Sequence, residues 1–73
     1  MVKLPQVKSK QIERALLQLG FVARSGKGSH KVFKHEDGRR TVLPVHSRAV
    51  SIGTLRAILK QVDLSPNDFL EMI

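Results

Sequence analysis

Cysteine, tryptophan and tyrosine are absent from the sequence, and phenylalanine occurs only three times. Because there are no thiols, disulfide bonds and cysteine-ligated metal sites are excluded. The histidines also lack the His-x3-His and His-Glu-x2-His spacings of common zinc sites, so neither a metal nor another cofactor is expected. Phe21, Phe33 and Phe69 occupy core positions in the apolar pattern. Their placement argues against a protein that binds single-stranded nucleic acid by stacking bases on sheet aromatics.

Long apolar runs and acidic residues are also scarce. No run approaches the roughly 18 apolar residues that a membrane-spanning helix needs, and no signal-peptide pattern opens the chain. We therefore expect one soluble, cytoplasmic domain over residues 1–73, with no membrane partner. Thirteen basic residues against six acidic ones give a net charge of +7. This excess favours a polyanionic partner, nucleic acid above all; the alternatives are a solvated basic surface or an acidic protein partner.

Apolar spacing predicts an amphipathic helix over about residues 9–19. The helical spacing joins Ile12, Ala15, Leu16 and Leu19. Ser9 is the predicted N-cap, and Gly20 lies where a C-terminal glycine ends a helix. Residues 1–8 lack periodicity and are predicted to form an extended lead-in.

Three short strands are predicted next, over about residues 21–24, 29–34 and 39–43. Residues 25–28 form a loop with two glycines, and the Asp37-Gly38 pair predicts a tight hairpin turn over residues 35–38. Pro44 marks the end of the third strand. The strands should form an antiparallel meander, followed by a connecting loop over residues 46–51.

A second helix follows, capped by Ser51 or Thr54. Its apolar stripe consists of Leu55, Ile58, Leu59 and Val62. Ser65 and Pro66 then predict the start of a short third helix, which should dock through Phe69, Leu70 and Ile73. The predicted fold is α+β, a two-layer α-β-β-β-α domain in which both main helices cover one face of a three-stranded antiparallel sheet.

The histidines differ in their predicted surroundings. Strand alternation places His30 on the opposite face of its strand from Phe33, so His30 should project from the open face of the sheet. His35 is interpreted as a solvated turn residue. His46 lies in a loop, where it could orient a phosphate or bond to the backbone.

His30 is the candidate general base. Without metal ligands, and without a buried acid to orient a serine–histidine pair, the remaining chemistry needs a substrate that carries its own nucleophile, as RNA does in its 2′-hydroxyl group. A neutral imidazole can accept that proton while cations stabilise the charge that grows on the phosphate. The candidate RNA-binding residues are Lys27, Gly28, Ser29, Lys31, Lys34, Arg40 and His46. Any of Lys31, Lys34, Arg40 and His46 could be the general acid, and the sequence does not single one out.

Several motifs together resemble the HicA toxins of bacterial HicA–HicB toxin–antitoxin pairs. The matching segments are Leu19-Gly20-Phe21, residues 28–33, residues 37–40, residues 42–46 and residues 53–61. The resemblance implies a fold similar to double-stranded-RNA-binding domains. It also implies cleavage of mRNA, with the motif histidine, here His30, as the catalytic residue. A HicB-like antitoxin that blocks the active site is implied as the partner. Asp63 departs from the pattern, because family members often have glycine after the second helix.

A non-catalytic RNA-binding module of similar fold is the alternative hypothesis. Double-stranded-RNA binders use lysines near the start of the last helix to hold phosphates. This sequence has no basic residue from Ser51 until Arg56, which favours the nuclease.

Overall fold

A computed structural model describes residues 3–26, 28–45 and 49–73. Three helices and five strands are present in these ranges. In chain order they are β1 (Val7–Lys8), α1 (Ser9–Gln18), β2 (Val22–Ser25), β3 (His30–Lys34), β4 (Arg40–Pro44), β5 (Ala49–Val50), α2 (Ile52–Gln61) and α3 (Pro66–Met72).

The central sheet has the strand order β2-β3-β4, and both strand pairs are antiparallel. Phe33 and Leu43 are fully buried beneath the helices, together with the helical residues Leu16 and Leu55. On the other face, the side chain of Val42 is 40% exposed. The predicted two-layer α+β fold with a three-stranded antiparallel sheet is therefore confirmed.

A second, two-stranded sheet was not predicted. β1 pairs with β5, so that Val7 lies opposite Val50 and Lys8 opposite Ala49. Both valines are almost fully buried, because the pairing brings them into the core between the ends of the helices. The extended lead-in was predicted, but not its pairing as β1. The prediction of a connecting loop over residues 46–51 was wrong at Ala49 and Val50, which form β5; residues 46–48 lie outside the described residues.

The first helix begins one residue earlier than the cap prediction implied. Lys8 is the N-cap and its backbone N–H donates to Gln11 Oε1 over 2.9 Å, whereas the predicted cap, Ser9, is the first helical residue. The predicted C-terminus is confirmed, because Gly20 adopts a φ of +95°. The Phe21 N–H then donates to the Leu16 carbonyl over 3.0 Å, which closes the helix with a Schellman motif.

The other helix starts follow the sequence signals closely. Ser51 caps α2 by accepting a hydrogen bond from the Thr54 N–H over 3.2 Å, and Ser65 caps α3 in the same way. Phe69 is fully buried, as predicted. Ile73 does not dock as predicted, since it remains 44% exposed beyond the last turn of α3.

The hairpin turn between β3 and β4 is tied to the end of α1 by His35. Its ring accepts the Asp37 N–H at Nδ1 over 3.1 Å, and its Nε2 lies 3.1 Å from the Leu19 carbonyl oxygen. The ring also makes an edge-on contact with Phe21 at a centroid distance of 5.1 Å. His35 is thus a half-buried structural residue, and its prediction as a solvated turn residue was wrong.

Arg39 ties the same turn to the end of α2. Its Nη1 donates to the Val62 carbonyl over 2.5 Å, and its Nε donates to Asp37 Oδ2 over 2.8 Å. The guanidinium also lies 5.2 Å from the centroid of the Phe21 ring. The turn therefore joins the C-terminal ends of both main helices, and this fixes the β3–β4 hairpin relative to the helical layer.

Candidate functional site

The open face of the central sheet presents His30 to solvent. Alternation along β3 buries Phe33 completely among the helices, whereas His30 lies on the opposite face and is exposed. His30 stands directly across from Pro44 in the β3–β4 register. The orientation predicted from strand alternation is confirmed, and the imidazole is accessible to a large substrate.

Gly26 fixes the backbone of His30. The Gly26 N–H donates to the His30 carbonyl oxygen over 3.0 Å, which continues the β2–β3 pairing by one residue. A Cβ atom at position 26 would lie only 2.6 Å from that oxygen, so only glycine fits without a backbone shift. Gly26 was predicted to lie in a loop over residues 25–28; its position four residues before His30 in a hairpin was the signal for this contact.

Gly28 and Ser29 form the turn that leads into β3. Gly28 adopts a φ of +62°, a conformation that glycine tolerates better than other residues. The Ser29 carbonyl oxygen accepts a hydrogen bond from the Val45 N–H over 2.5 Å. This bond extends the β3–β4 ladder beyond His30, so the histidine is held by neighbouring strands on both sides.

An open pocket of about 230 Å³ adjoins His30. It lies where the ends of β2, β3 and β4 meet. Its lining residues are Ser25, Gly26, Gly28, Ser29, His30, Lys31 and Val45. Four of the lining residues are glycine or serine, and their small side chains leave the imidazole ring accessible.

Lys31 lies on the other side of the sheet from His30. Its Nζ forms an ion pair with Glu13 Oε2 of α1 at 2.9 Å, on the face that carries Phe33. The side chain of Lys31 is still 41% exposed and lines the pocket. The structure thus assigns Lys31 a contact with α1 besides its place at the pocket, and its predicted RNA contact stays a prediction.

Lys34 and Arg40 share the open face with His30 but are remote from it. They lie directly opposite each other across β3 and β4. Lys34 is four residues along the strand from His30, or about 13 Å at about 3.3 Å per residue. The backbone positions of these two cations are therefore well removed from the pocket beside His30. Arg24 of β2, which the sequence analysis did not include, lies between them and His30 in the register.

The remaining predicted site residues, Lys27 and His46, lie outside the described residues. Among the described ones, no group of three or more histidine, aspartate or glutamate side chains is arranged to hold a metal ion. The side chain of His30 makes no hydrogen bond or ion pair with the described part of the chain. None of the three helices has the length and apolarity that a bilayer crossing requires.

A comparison with protein families identifies a match that covers most of the chain. A family model described as the HicA toxin of bacterial toxin-antitoxin matches residues 9–64, more than three quarters of the chain. The matched range begins with α1, contains the whole central sheet and α2, and includes His30 with its pocket. No protein with a curated description matches the sequence.

Proposed function

We propose that this chain, which belongs to the HicA toxin family, cleaves mRNA without a metal ion and uses His30 as the general base. Family membership makes the chain the toxin of a bacterial toxin–antitoxin system. The reaction and the residues that perform it are the proposal. It rests above all on an exposed histidine held at the edge of a glycine-lined pocket, on a sheet face whose charged side chains are all basic.

The proposed reaction is an internal transfer of the phosphate. The imidazole of His30 accepts the proton of a ribose 2′-hydroxyl group, and the 2′-oxygen attacks the adjacent phosphorus. The bond from phosphorus to the 5′-oxygen of the next nucleotide breaks, and that oxygen takes up a proton. The products are a 2′,3′-cyclic phosphate and a 5′-hydroxyl end. General-base assistance contributes about 10²–10⁴-fold to such a step, so a slow enzyme is expected.

The geometry narrows the candidates for the general acid. The backbone positions of Lys34 and Arg40 are about 13 Å along the sheet from His30, so these residues are less suited than nearer groups to protonate the leaving 5′-oxygen. Lys31 lines the pocket beside His30, and we propose that Lys31 or His46 protonates the leaving 5′-oxygen. The loop residues Lys27, Gly28 and Ser29 are proposed to hold the scissile phosphate.

A HicB-like antitoxin is the proposed protein partner. An inhibitor that covers the open face of the sheet would occlude His30 and its pocket together. The half-exposed valines of that face, Val22, Val32 and Val42, offer apolar area to such a partner, and the surrounding cations favour acidic side chains.

Cleavage of purified RNA in EDTA by the wild type and by His30→Ala tests the proposal. The wild type should produce fragments with 2′,3′-cyclic phosphate ends, and His30→Ala should be slower by about 10²–10⁴-fold. Thermal melting must show that both proteins fold. His35→Gln is the matched control, since it should melt at a lower temperature but still cleave well below its melting point.

Two results would refute the role of His30. Equal cleavage by the wild type and His30→Ala would show that the base lies elsewhere. RNA that is bound but left intact by both proteins would instead support the non-catalytic RNA-binding module.

A further inference from the structure

The open face carries two like charges in direct opposition. Lys34 faces Arg40, and the neighbouring pair, His35 and Arg39, is joined by the His35 N–H donating to the Arg39 carbonyl over 2.8 Å. Lys34 and Arg40 are therefore a non-hydrogen-bonded pair, in which the Cα atoms approach to about 4.5 Å. Like charges at directly opposite positions destabilise a sheet. An anion bound between them would remove that repulsion.

No carboxylate of the described chain neutralises this pair. The described ion pairs that involve lysine or arginine are Lys31–Glu13 and Arg39–Asp37; the first lies on the helical side of the sheet and the second in the hairpin turn. Arg24, which is also without an ion pair there, projects from the same face as Lys34 and Arg40. Three cations thus share one face of the sheet, and a polyanion is the complementary ligand.

On β3 and β4, Lys34 and Arg40 are separated from His30 by a pair of valines. Val32 of β3 lies directly across from Val42 of β4, midway between His30 and Lys34. The distance of about 13 Å between His30 and Lys34 exceeds the separation of two adjacent phosphates in a single strand. A ligand that places phosphates at both positions must therefore extend over more than one nucleotide step.

We infer that Lys34 and Arg40, assisted by Arg24, form a second phosphate-binding subsite for a single RNA strand. The strand runs along β3, with the cleaved phosphate at His30 and a further, non-adjacent phosphate at the Lys34–Arg40 pair. The subsite makes binding depend on RNA length and contributes affinity rather than chemistry. This inference rests on the proposed function for the position of the cleaved phosphate.

Binding of 2′-O-methyl oligouridylates tests the subsite without any cleavage. Oligomers of three and nine nucleotides are compared by fluorescence anisotropy at low salt. The wild type should bind the nonamer much more tightly than the trimer. Lys34→Gln/Arg40→Gln should lose about tenfold in affinity for the nonamer and little for the trimer. The slope of log K against log salt should also fall by about 1.4, or about 0.7 per lost phosphate contact.

A matched control removes the same charge elsewhere. Arg56→Gln/Lys60→Gln takes two exposed cations from α2, on the other side of the sheet, and should leave the length dependence intact. Equal losses in the two double variants would overturn the subsite, since net charge alone would then explain binding. Equal losses for trimer and nonamer would also overturn it. Lys34→Arg/Arg40→Lys keeps both charges and should retain affinity, which guards against a folding defect.

The proposed function and the subsite fail in different ways. His30→Ala should keep the full length dependence of binding, because no step of the binding assay uses the imidazole. On long cleavable RNA, Lys34→Gln/Arg40→Gln should raise KM about tenfold and leave kcat unchanged. A fall in kcat without a change in KM would overturn the separation of binding from chemistry. Length-dependent binding by a wild type that cleaves nothing would refute the proposed function alone.

Discussion

Replacing Asp63 with glycine should stabilise the domain. Asp63 follows α2 with a φ of 56°, in the left-handed region that side chains with a Cβ atom disfavour. The Leu64 N–H donates to the Leu59 carbonyl over 2.9 Å across this residue. The end of α2 thus has the same hydrogen-bonding motif as the end of α1, where Gly20 holds the left-handed position. The motif at the end of α1 has the favoured glycine at the left-handed position, whereas the motif at the end of α2 has aspartate there.

The gain at Asp63 can be estimated from opposing contributions. A left-handed conformation costs an L-residue about 1–2 kcal/mol, and aspartate tolerates it better than most. A carboxylate near the carbonyl end of a helix costs about 0.3–1 kcal/mol more. Glycine offsets about 0.5–1 kcal/mol of this gain, because it increases the conformational entropy of the unfolded chain. The net increase in the free energy of unfolding is about 1 kcal/mol, which raises Tm by about 4–8 °C in a domain of this size.

Urea denaturation followed by circular dichroism measures the effect, with two further variants to separate its causes. Asp63→Asn removes the charge and keeps a side chain that tolerates the left-handed region, so it should gain less than Asp63→Gly. Asp63→Ala removes the charge but keeps the Cβ strain, so it should gain little or lose stability. If Asp63→Ala were as stable as Asp63→Gly, the charge and not the backbone would be responsible. A glycine variant no more stable than the wild type would refute the reasoning altogether.

Three further predictions concern two glycines and the hairpin turn. Gly26→Ala should lower the free energy of unfolding by about 1–3 kcal/mol and slow RNA cleavage, because the new Cβ displaces the His30 carbonyl. Gly53→Ala should instead stabilise α2 by about 0.5–1 kcal/mol, because a Cβ there meets no atom within 4 Å. If Gly26→Ala and Gly53→Ala changed the denaturation curve and the cleavage rate in the same way, the contact between position 26 and the His30 carbonyl would be contradicted. The Arg39 N–H that donates to the Asp37 carboxylate, with the Arg39 guanidinium, lowers the pKa of Asp37. The ionised Asp37 carboxylate therefore stabilises the folded protein above about pH 4, and this contribution is lost as pH falls through the lowered pKa. Denaturation at neutral and at acid pH should show that Asp37→Asn is less stable than the wild type only at the higher pH.

Local signals were sufficient to predict the main elements of the fold. The stripe that ends with Val62 gave α2 because four apolar residues at helical spacing can all face one core. Alternation in β3 was equally informative, since a buried Phe33 requires an exposed His30 three residues earlier. Ser51 and Ser65 marked helix starts through hydrogen bonds that involve only the next three residues. In each case the physical cause lies within one element.

The features that the sequence did not reveal depend on distant residues. The two-residue strands β1 and β5 have no periodicity of their own, and Val7 is buried only because Val50 pairs with it. His35 resembles any polar turn residue until the end of α1 places the Leu19 carbonyl within reach of its ring. The ion pair between Lys31 and Glu13 was not predicted, because the position of Glu13 on α1 relative to β3 was unknown. Contacts of this kind follow from the packing of elements, which local patterns do not specify.

Strand alternation in β3 gives two identical side chains different physical roles. Lys31 shares a face with Phe33 and pairs with Glu13, whereas Lys34 projects from the open face and lies against Arg40 without an acid. A charge that is already paired in the protein has less to gain from a phosphate, because binding RNA would weaken the existing ion pair. When Lys34 binds a phosphate, no ion pair is weakened, and its repulsion from Arg40 is reduced. The open face is therefore suited to a polyanion through the cations that the fold leaves without partners, and the total of basic residues in the chain overstates the number available to RNA.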